Sequence, residues 1–158
     1  MVVRRVLVCG ALGVSVAIAF VSTGVASSSS ARSPSIVAAI AAFKKAGIPV
    51  TKVVIYTQAT DPNHLQGRPG QYTANGSWSD ARVASTGLFY GTTVGMLELF
   101  SSSADLQTRE RYVKTVEKGV PSLEQYIYAD GLALLRVSFA LTPAQAAKYQ
   151  SVLARLEG

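Results

Sequence analysis

Apolar and polar positions divide the chain into three regions of different character. Residues 6–26 are almost continuously apolar, residues 27–33 are small and polar, and from residue 34 onward apolar side chains recur periodically. Apolar residues three and four apart predict helices, whereas runs of β-branched and aromatic residues bounded by glycine or proline predict strands. We therefore expect a single folded domain over residues 34–158, preceded by a flexible serine-rich tether and an apolar leader.

Helix signals occur at three places in this domain. Each predicted helix follows a serine or threonine that suits the N-cap, and two of the three have proline at the first helical position. The expected helices cover residues 34–46, 103–118 and 143–157, capped by Ser33, Ser102 and Thr142. For the last helix, Gln145 completes a capping box with Thr142.

Strand signals fill most of the remaining chain. The expected strands cover residues 50–57, 71–74, 77–83, 92–100, 124–128 and 132–139. Asn75-Gly76 is the strongest short hairpin signal in the sequence, and Gly131 is suited to the positive φ of a second hairpin at residues 129–131. Residues 58–70 contain two prolines and two glycines without any period, which predicts a loop, and residues 84–91 form another connection.

The element order α-β-loop-β-β-β-α-β-β-α has short connections, which favour antiparallel pairing. We predict an α+β fold in which the helices pack on one face of an antiparallel sheet; a mixed sheet, with residues 50–57 parallel to a neighbour, is the alternative. Because side chains alternate along strands, Glu98 and Arg136 should both point away from their apolar neighbours. We therefore expect a cross-strand or diagonal ion pair between them.

Residues 1–26 have the order of a secretory signal peptide. Arg4 and Arg5 precede the apolar run, and the small residues Gly24 and Ala26 favour cleavage after Ala26. The alternative is an uncleaved membrane anchor, because the run is long enough to cross a bilayer. Both alternatives predict a secreted or extracytoplasmic protein. The single cysteine, Cys9, lies within this leader, so the chain cleaved after Ala26 would have neither a disulfide nor a thiolate metal site.

Charge argues against a nucleic-acid partner. The chain has 15 Lys and Arg against 9 Asp and Glu, a net charge of +6. Loss of Arg4 and Arg5 would leave 13 against 9, or +4. The basic residues are scattered, without the stripe that binds a phosphate backbone. An envelope polymer or another protein is the expected kind of partner, and no motif predicts a cofactor or a metal ion.

The loop over residues 58–70 is the most plausible location of a functional site, because long ordered loops are often functional. It would group hydrogen-bonding side chains with aromatic side chains of the following hairpin, a combination that suits recognition of a polar ligand. The candidate binding residues are Asp61, Asn63, His64, Arg68, Tyr72 and Trp78. The alternative is that these residues only brace the loop, with Asp61 as a cap.

One further pattern is Asp61-Pro-Asn followed by Gly67-Arg-Pro-Gly70. This is the most specific part of a similarity that covers most of residues 36–157, by which the chain resembles small secreted proteins and lipoproteins of high-GC Gram-positive bacteria. It implies an exported α+β domain and assigns no catalytic residues. The chain differs from the lipoproteins of this group because no cysteine stands at the leader exit.

Two hypotheses for the function follow. The first is an exported, non-enzymatic binding or interaction module associated with the cell envelope. The second is a small secreted hydrolase or wall-modifying enzyme that uses His64, the single histidine of the chain. The second requires His64 to lie within hydrogen-bond reach of an acid or a hydroxyl nucleophile. The sequence favours the first, since it contains no complete catalytic motif.

Overall fold

A computed structural model describes residues 35–84 and 93–157 of the chain. The predicted leader and tether lie outside these ranges, as does all but the first residue of the connection predicted at residues 84–91. The predicted cleavage site therefore lies outside the described residues. Within those two ranges, no helix combines the length and the apolar character that crossing a bilayer requires.

The described residues form three helices, a short 3-10 turn at Pro121–Leu123 and one five-stranded sheet with the strand order β1-β2-β3-β5-β4. The elements in chain order are α1 (Ile36–Lys45), β1 (Val50–Ile55), β2 (Ala74–Asp80), β3 (Gly95–Leu99), α2 (Ser103–Gly119), β4 (Gln125–Asp130), β5 (Ala133–Ser138) and α3 (Pro143–Glu157). Every pairing between these strands is antiparallel. The α+β class and the antiparallel sheet are confirmed, and the alternative of a mixed sheet does not hold for these strands.

Two of the three predicted N-cap residues are confirmed. Ser102 caps α2 by accepting from the Asp105 backbone N–H, and the Gln145 side chain accepts from the Thr142 backbone N–H in the predicted capping box. For α1 the predicted cap is wrong. Ser35 rather than Ser33 fills that position, with its hydroxyl 3.1 Å from the Ala38 backbone nitrogen.

The hairpin predicted at Asn75-Gly76 is also wrong, because both residues lie inside the continuous strand β2. Gly76 pairs with Ile55 on one side and Leu97 on the other. A Cβ atom at Gly76 would lie 2.6 Å from Ile36 Cγ2 of α1. Gly76 therefore allows α1 to pack closely against a central strand, and it does not form a turn.

The helices pack on both faces of the sheet, contrary to the prediction of one face. Alternate strand residues, such as Leu97 and Leu135, belong to an apolar core that also contains residues of α1 and α3. The intervening residue Leu134 instead clusters with Leu106 of α2. Because successive strand residues point to opposite faces, α2 covers the face opposite to α1 and α3. We call these two sides of the sheet the α1/α3 face and the α2 face.

The α1/α3 face contains a cluster of three aromatic side chains among its aliphatic residues. Phe43 of α1, Trp78 of β2 and Tyr149 of α3 are buried, with ring centroids 5.0 to 5.8 Å apart. Trp78 Nε1 donates to the Tyr149 hydroxyl, which in turn donates to the Asp80 carboxylate at 2.8 Å. The polar ends of these large side chains are thus hydrogen-bonded inside the core, as burial of polar atoms requires.

Candidate functional site

The loop predicted at residues 58–70 is ordered around one buried carboxylate. Asp61 is fully buried and accepts from the backbone N–H groups of Leu65 and Gln66 at 2.8 and 3.0 Å. It also accepts from the Tyr72 hydroxyl at 2.7 Å and from Asn75 Nδ2 of β2 at 3.0 Å. One side chain therefore ties the loop to itself and to the sheet.

The electrostatics of Asp61 agree with this bracing role. Burial by itself raises the pKa of the Asp61 carboxyl, but hydrogen bonds from Tyr72 and from the loop backbone outweigh burial and lower the pKa below its usual value. Burial and the contact with Asp61 raise the pKa of Tyr72, so its hydroxyl remains a donor at neutral pH. The pair is a stable charged hydrogen bond rather than a proton-transfer couple.

The six predicted binding residues do not form one site. Asn63 lies beside this buried cluster, with its Nδ2 3.3 Å from the Tyr72 hydroxyl. His64 and Arg68 are exposed on the loop. Trp78 is buried on the α1/α3 face, because it is three residues from Asn75 in the same strand and so points the other way. The prediction that Trp78 belongs to the site is therefore wrong.

A second buried polar cluster lies beneath α2. Arg109 donates through Nε and Nη2 to the two carboxylate oxygens of Glu98, at 3.0 and 2.9 Å. Arg136 Nη1 lies 3.1 Å from Glu98 Oε1, so the predicted diagonal pair between Glu98 and Arg136 is present. The pair is shielded from solvent. Glu98 is fully buried and bridges two arginines.

Arg109 connects this cluster to the loop and to the surface. Its guanidinium carbon lies 5.6 Å from the ring centroid of buried Tyr72 and 5.5 Å from that of exposed Tyr112. Such distances are typical of cation–π contacts. Nε and Nη2 are held by Glu98, whereas Nη1 donates to no group among the described residues. The orientation of Arg109 is therefore fixed while one of its nitrogens keeps its donor capacity.

A groove opens where the loop meets α2, and Arg109 lies at its wall. Its volume is about 280 Å³. The lining comes from the loop and its end (Leu65, Gly70, Gln71) and from one side of α2 (Thr108, Arg109, Tyr112). Tyr112 is 60 % exposed, so its ring is available at the surface although one face contacts Arg109. The groove combines an aromatic ring, an aliphatic side chain and hydrogen-bonding groups.

A second depression, of about 400 Å³, lies at the C-terminal end of α2. It is lined by the charged residues Lys114, Glu117, Lys118 and Glu124. It contains no aromatic side chain, and Lys114 already pairs with Glu110 on the same helix. Such a mixed-charge, open surface is ordinary for a solvated helix end, so the groove beside Arg109 is the better candidate site.

Sequence reasoning missed Arg109, Tyr112, Gln71 and Thr108. A signal for Arg109 was available, since it lies three residues after Leu106 and four before Val113 on the buried stripe of α2. A charged residue on an apolar stripe requires a buried partner of opposite charge. Tyr112 carries no comparable signal, because an exposed helical tyrosine is indistinguishable in sequence from any surface residue.

Comparison of the chain with protein-family models, with curated proteins and with solved structures gives no significant match.

Proposed function

We propose that this protein is an exported, extracytoplasmic binding module that holds an envelope ligand in the groove between the loop and α2. The observation that carries the proposal is the groove itself, in which exposed Tyr112 is supported from behind by buried Arg109. A concave site with a few fixed polar groups and an aromatic surface suits ligand recognition.

The groove is preorganised, which supports a binding role. Asp61 holds the loop wall through several hydrogen bonds, and Glu98 holds Arg109 through two. A site whose walls are already ordered loses little conformational entropy when a ligand binds. The buried polar clusters therefore fix the two walls of the groove in addition to stabilising the fold.

The export of the protein is part of the proposal and rests on the sequence alone. The basic start, the apolar run and the small residues Gly24 and Ala26 support it. Sequencing of the N-terminus of exported material tests it, and a start at or near Ser27 is the expected result.

The geometry around His64 favours binding over the alternative of a hydrolase. The His64 side chain is exposed and contacts no acid or hydroxyl among the described residues. The acid nearest in sequence, Asp61, is fully buried and already accepts from loop and sheet donors. A general base needs an oriented partner, and His64 has none within the part of the chain that the structure describes.

Co-sedimentation of the full chain with isolated cell envelopes tests the proposed function. We expect the wild-type protein to sediment with envelopes, and the double variant Gln71→Ala/Tyr112→Ala to remain in solution. Phe139→Ala is the matched control, since it removes another exposed aromatic ring. Phe139 follows the end of β5 that pairs with the start of β3, whereas α2 follows the opposite end of β3.

A second double variant, His64→Ala/Arg68→Ala, separates the groove from the outer surface of the loop. We expect it to sediment like the wild type. Loss of sedimentation in this variant, with the groove variant unaffected, would place the site on the loop and contradict the groove. Failure of the wild-type protein to sediment at all would contradict the proposed function.

A further inference from the structure

The ligand class can be inferred from the chemistry of the groove, and this inference rests on the proposed function. The groove offers one aromatic face, one aliphatic side chain and several hydrogen-bonding groups. At about 280 Å³ it is at the small end of ligand pockets, so it accommodates one ring with its substituents rather than a long segment.

The contact between Tyr112 and Arg109 determines which part of the tyrosine ring a ligand can reach. One face of its ring contacts the Arg109 guanidinium, and the 60 % exposure of the residue leaves the rest of the ring to solvent. The face of an aromatic ring carries negative charge and attracts weakly positive hydrogens. The C–H bonds on one side of a pyranose ring present such hydrogens, so a sugar ring can stack on Tyr112.

The polar groups around the ring have unused hydrogen-bonding capacity. Within the described residues, Gln71 forms a hydrogen bond only through its backbone, and Arg109 forms hydrogen bonds only through Nε and Nη2. The Thr108 hydroxyl donates to the Ala104 carbonyl and accepts from Arg111, which leaves one lone pair. Donors and acceptors distributed around an aromatic face match the hydroxyl groups at the edge of a sugar ring.

The charge balance at the groove wall favours a neutral ligand. Glu98 is shared by Arg109 and Arg136, and a second buried carboxylate, Asp61, accepts from the Tyr72 hydroxyl close to Arg109. At the rim, Arg111 contacts Thr108, whereas the Asp105 carboxylate lies beside Gly70. The three arginines named here are thus matched by three carboxylates, so these groups give the site no net attraction for an anion.

A peptide ligand fits the groove less well. Peptides commonly bind as an added strand along a sheet edge or as an amphipathic helix in an apolar groove. The walls here are a loop and a helix, so neither offers a free strand edge, and Leu65 is the single aliphatic side chain of the lining. We propose that the groove between the loop and α2 binds a neutral sugar ring of an envelope glycan, stacked on Tyr112.

Nuclear magnetic resonance titration of the full chain, purified in mild detergent, tests this proposal. The probes are cellotetraose and the tetramer of N-acetylglucosamine, with tetragalacturonate as the acidic counterpart and tetra-alanine as the peptide. We expect both neutral sugars, or one of them, to shift the amide resonances of Gln71, Thr108 and Tyr112. Tyr112→Ala should weaken that binding about tenfold, the value of a lost stacking contact.

Two variants distinguish loss of stacking from loss of folding. Tyr112→Phe keeps the ring and should bind within about twofold of the wild type, since the contact depends on the ring face. Phe139→Ala should leave the affinity unchanged. Absence of shifts with both neutral sugars, or tighter binding of tetragalacturonate or tetra-alanine, would overturn the assignment of a neutral sugar. Envelope sedimentation that depends on Tyr112 would then still support the proposed function, so the two failures are distinguishable.

Discussion

The two faces of the sheet are both covered by helices, yet their buried side chains differ in chemistry. The α1/α3 face packs aliphatic and aromatic side chains around Trp78, Phe43 and Tyr149. The α2 face buries Glu98 between two arginines, and the loop above it is held by a buried aspartate. Apolar packing tolerates moderate changes of side-chain shape. A buried charge network tolerates little change, because removal of any one member leaves its partners buried and unpaired.

This difference suggests a division of roles. The α1/α3 face supplies most of the apolar burial that stabilises the domain. The α2 face orients the loop and Arg109, which together form the groove. Buried ion pairs contribute little net stability compared with apolar packing, so their value here lies in fixing geometry.

The largest effect is expected from substitutions at two adjacent residues of β3, which should differ in how much they lower the free energy of unfolding. Leu97 and Glu98 are equally buried but point to opposite faces of the sheet. Glu98→Gln removes the charge shared by Arg109 and Arg136, and should lower the free energy of unfolding by about 3 to 5 kcal/mol. Leu97→Met conserves volume and should cost less than about 1.5 kcal/mol. Urea unfolding measures both values, and a cost for Glu98→Gln no greater than that for Leu97→Met would contradict the contrast between the faces.

Acidification is expected to lower the stability of the fold by an intermediate amount. Burial raises the pKa of the Asp80 carboxyl, but hydrogen bonds from Arg82 and Tyr149 lower it overall, and the pKa of Asp61 is lowered in a similar way. A carboxyl whose pKa is lower in the folded state stabilises the fold above its unfolded pKa, about 3.9. This stabilisation is lost as the pH falls through the folded pKa, so stability should fall below about pH 4.

The variant Asp61→Asn separates the contributions of the two carboxyls. It removes one titrating group, so the free energy of unfolding should depend less steeply on pH below about pH 4, although the variant is less stable at neutral pH. Thr60→Ala, an exposed change in the same loop, should keep the wild-type slope. An unchanged slope in Asp61→Asn would show that Asp61 does not supply the acid dependence.

The smallest effect on stability is expected from substitution of His64. This residue has a positive φ of 53°, a conformation that is costly for residues other than glycine. His64→Gly should therefore leave stability unchanged or raise it by up to about 1 kcal/mol, and should leave envelope sedimentation unchanged. Thermal unfolding and sedimentation provide the two measurements. Loss of sedimentation with intact stability would restore His64 as a functional residue.

The sequence predicts most of the elements and one of the buried contacts. The helix over residues 143–157 and its capping box are confirmed because both depend on neighbouring residues alone. The Glu98–Arg136 pair was predictable because strand alternation placed both residues on one face. Its burial was not predictable, since that depends on which helix covers the face.

The errors at Asn75 and Gly76 have a tertiary cause. Asn-Gly is a strong local turn signal, but Asn75 is needed to donate to Asp61 and Gly76 is needed to admit Ile36. Contacts with distant residues outweighed the local preference. Similarly, the predicted position of Trp78 in the site depended on a turn that does not exist, so its side chain lies on the other face.

Local periodicity, capping and proline content were enough to predict the three helices, most of the strands, the antiparallel class and the ordered loop. Tertiary contacts set which face of the sheet each helix covers, and therefore which charged residues are buried together. The groove is likewise a result of tertiary contacts. It is formed by Gln71 and Tyr112, which are far apart in the chain, and their proximity follows from the packing of α2 rather than from any local pattern.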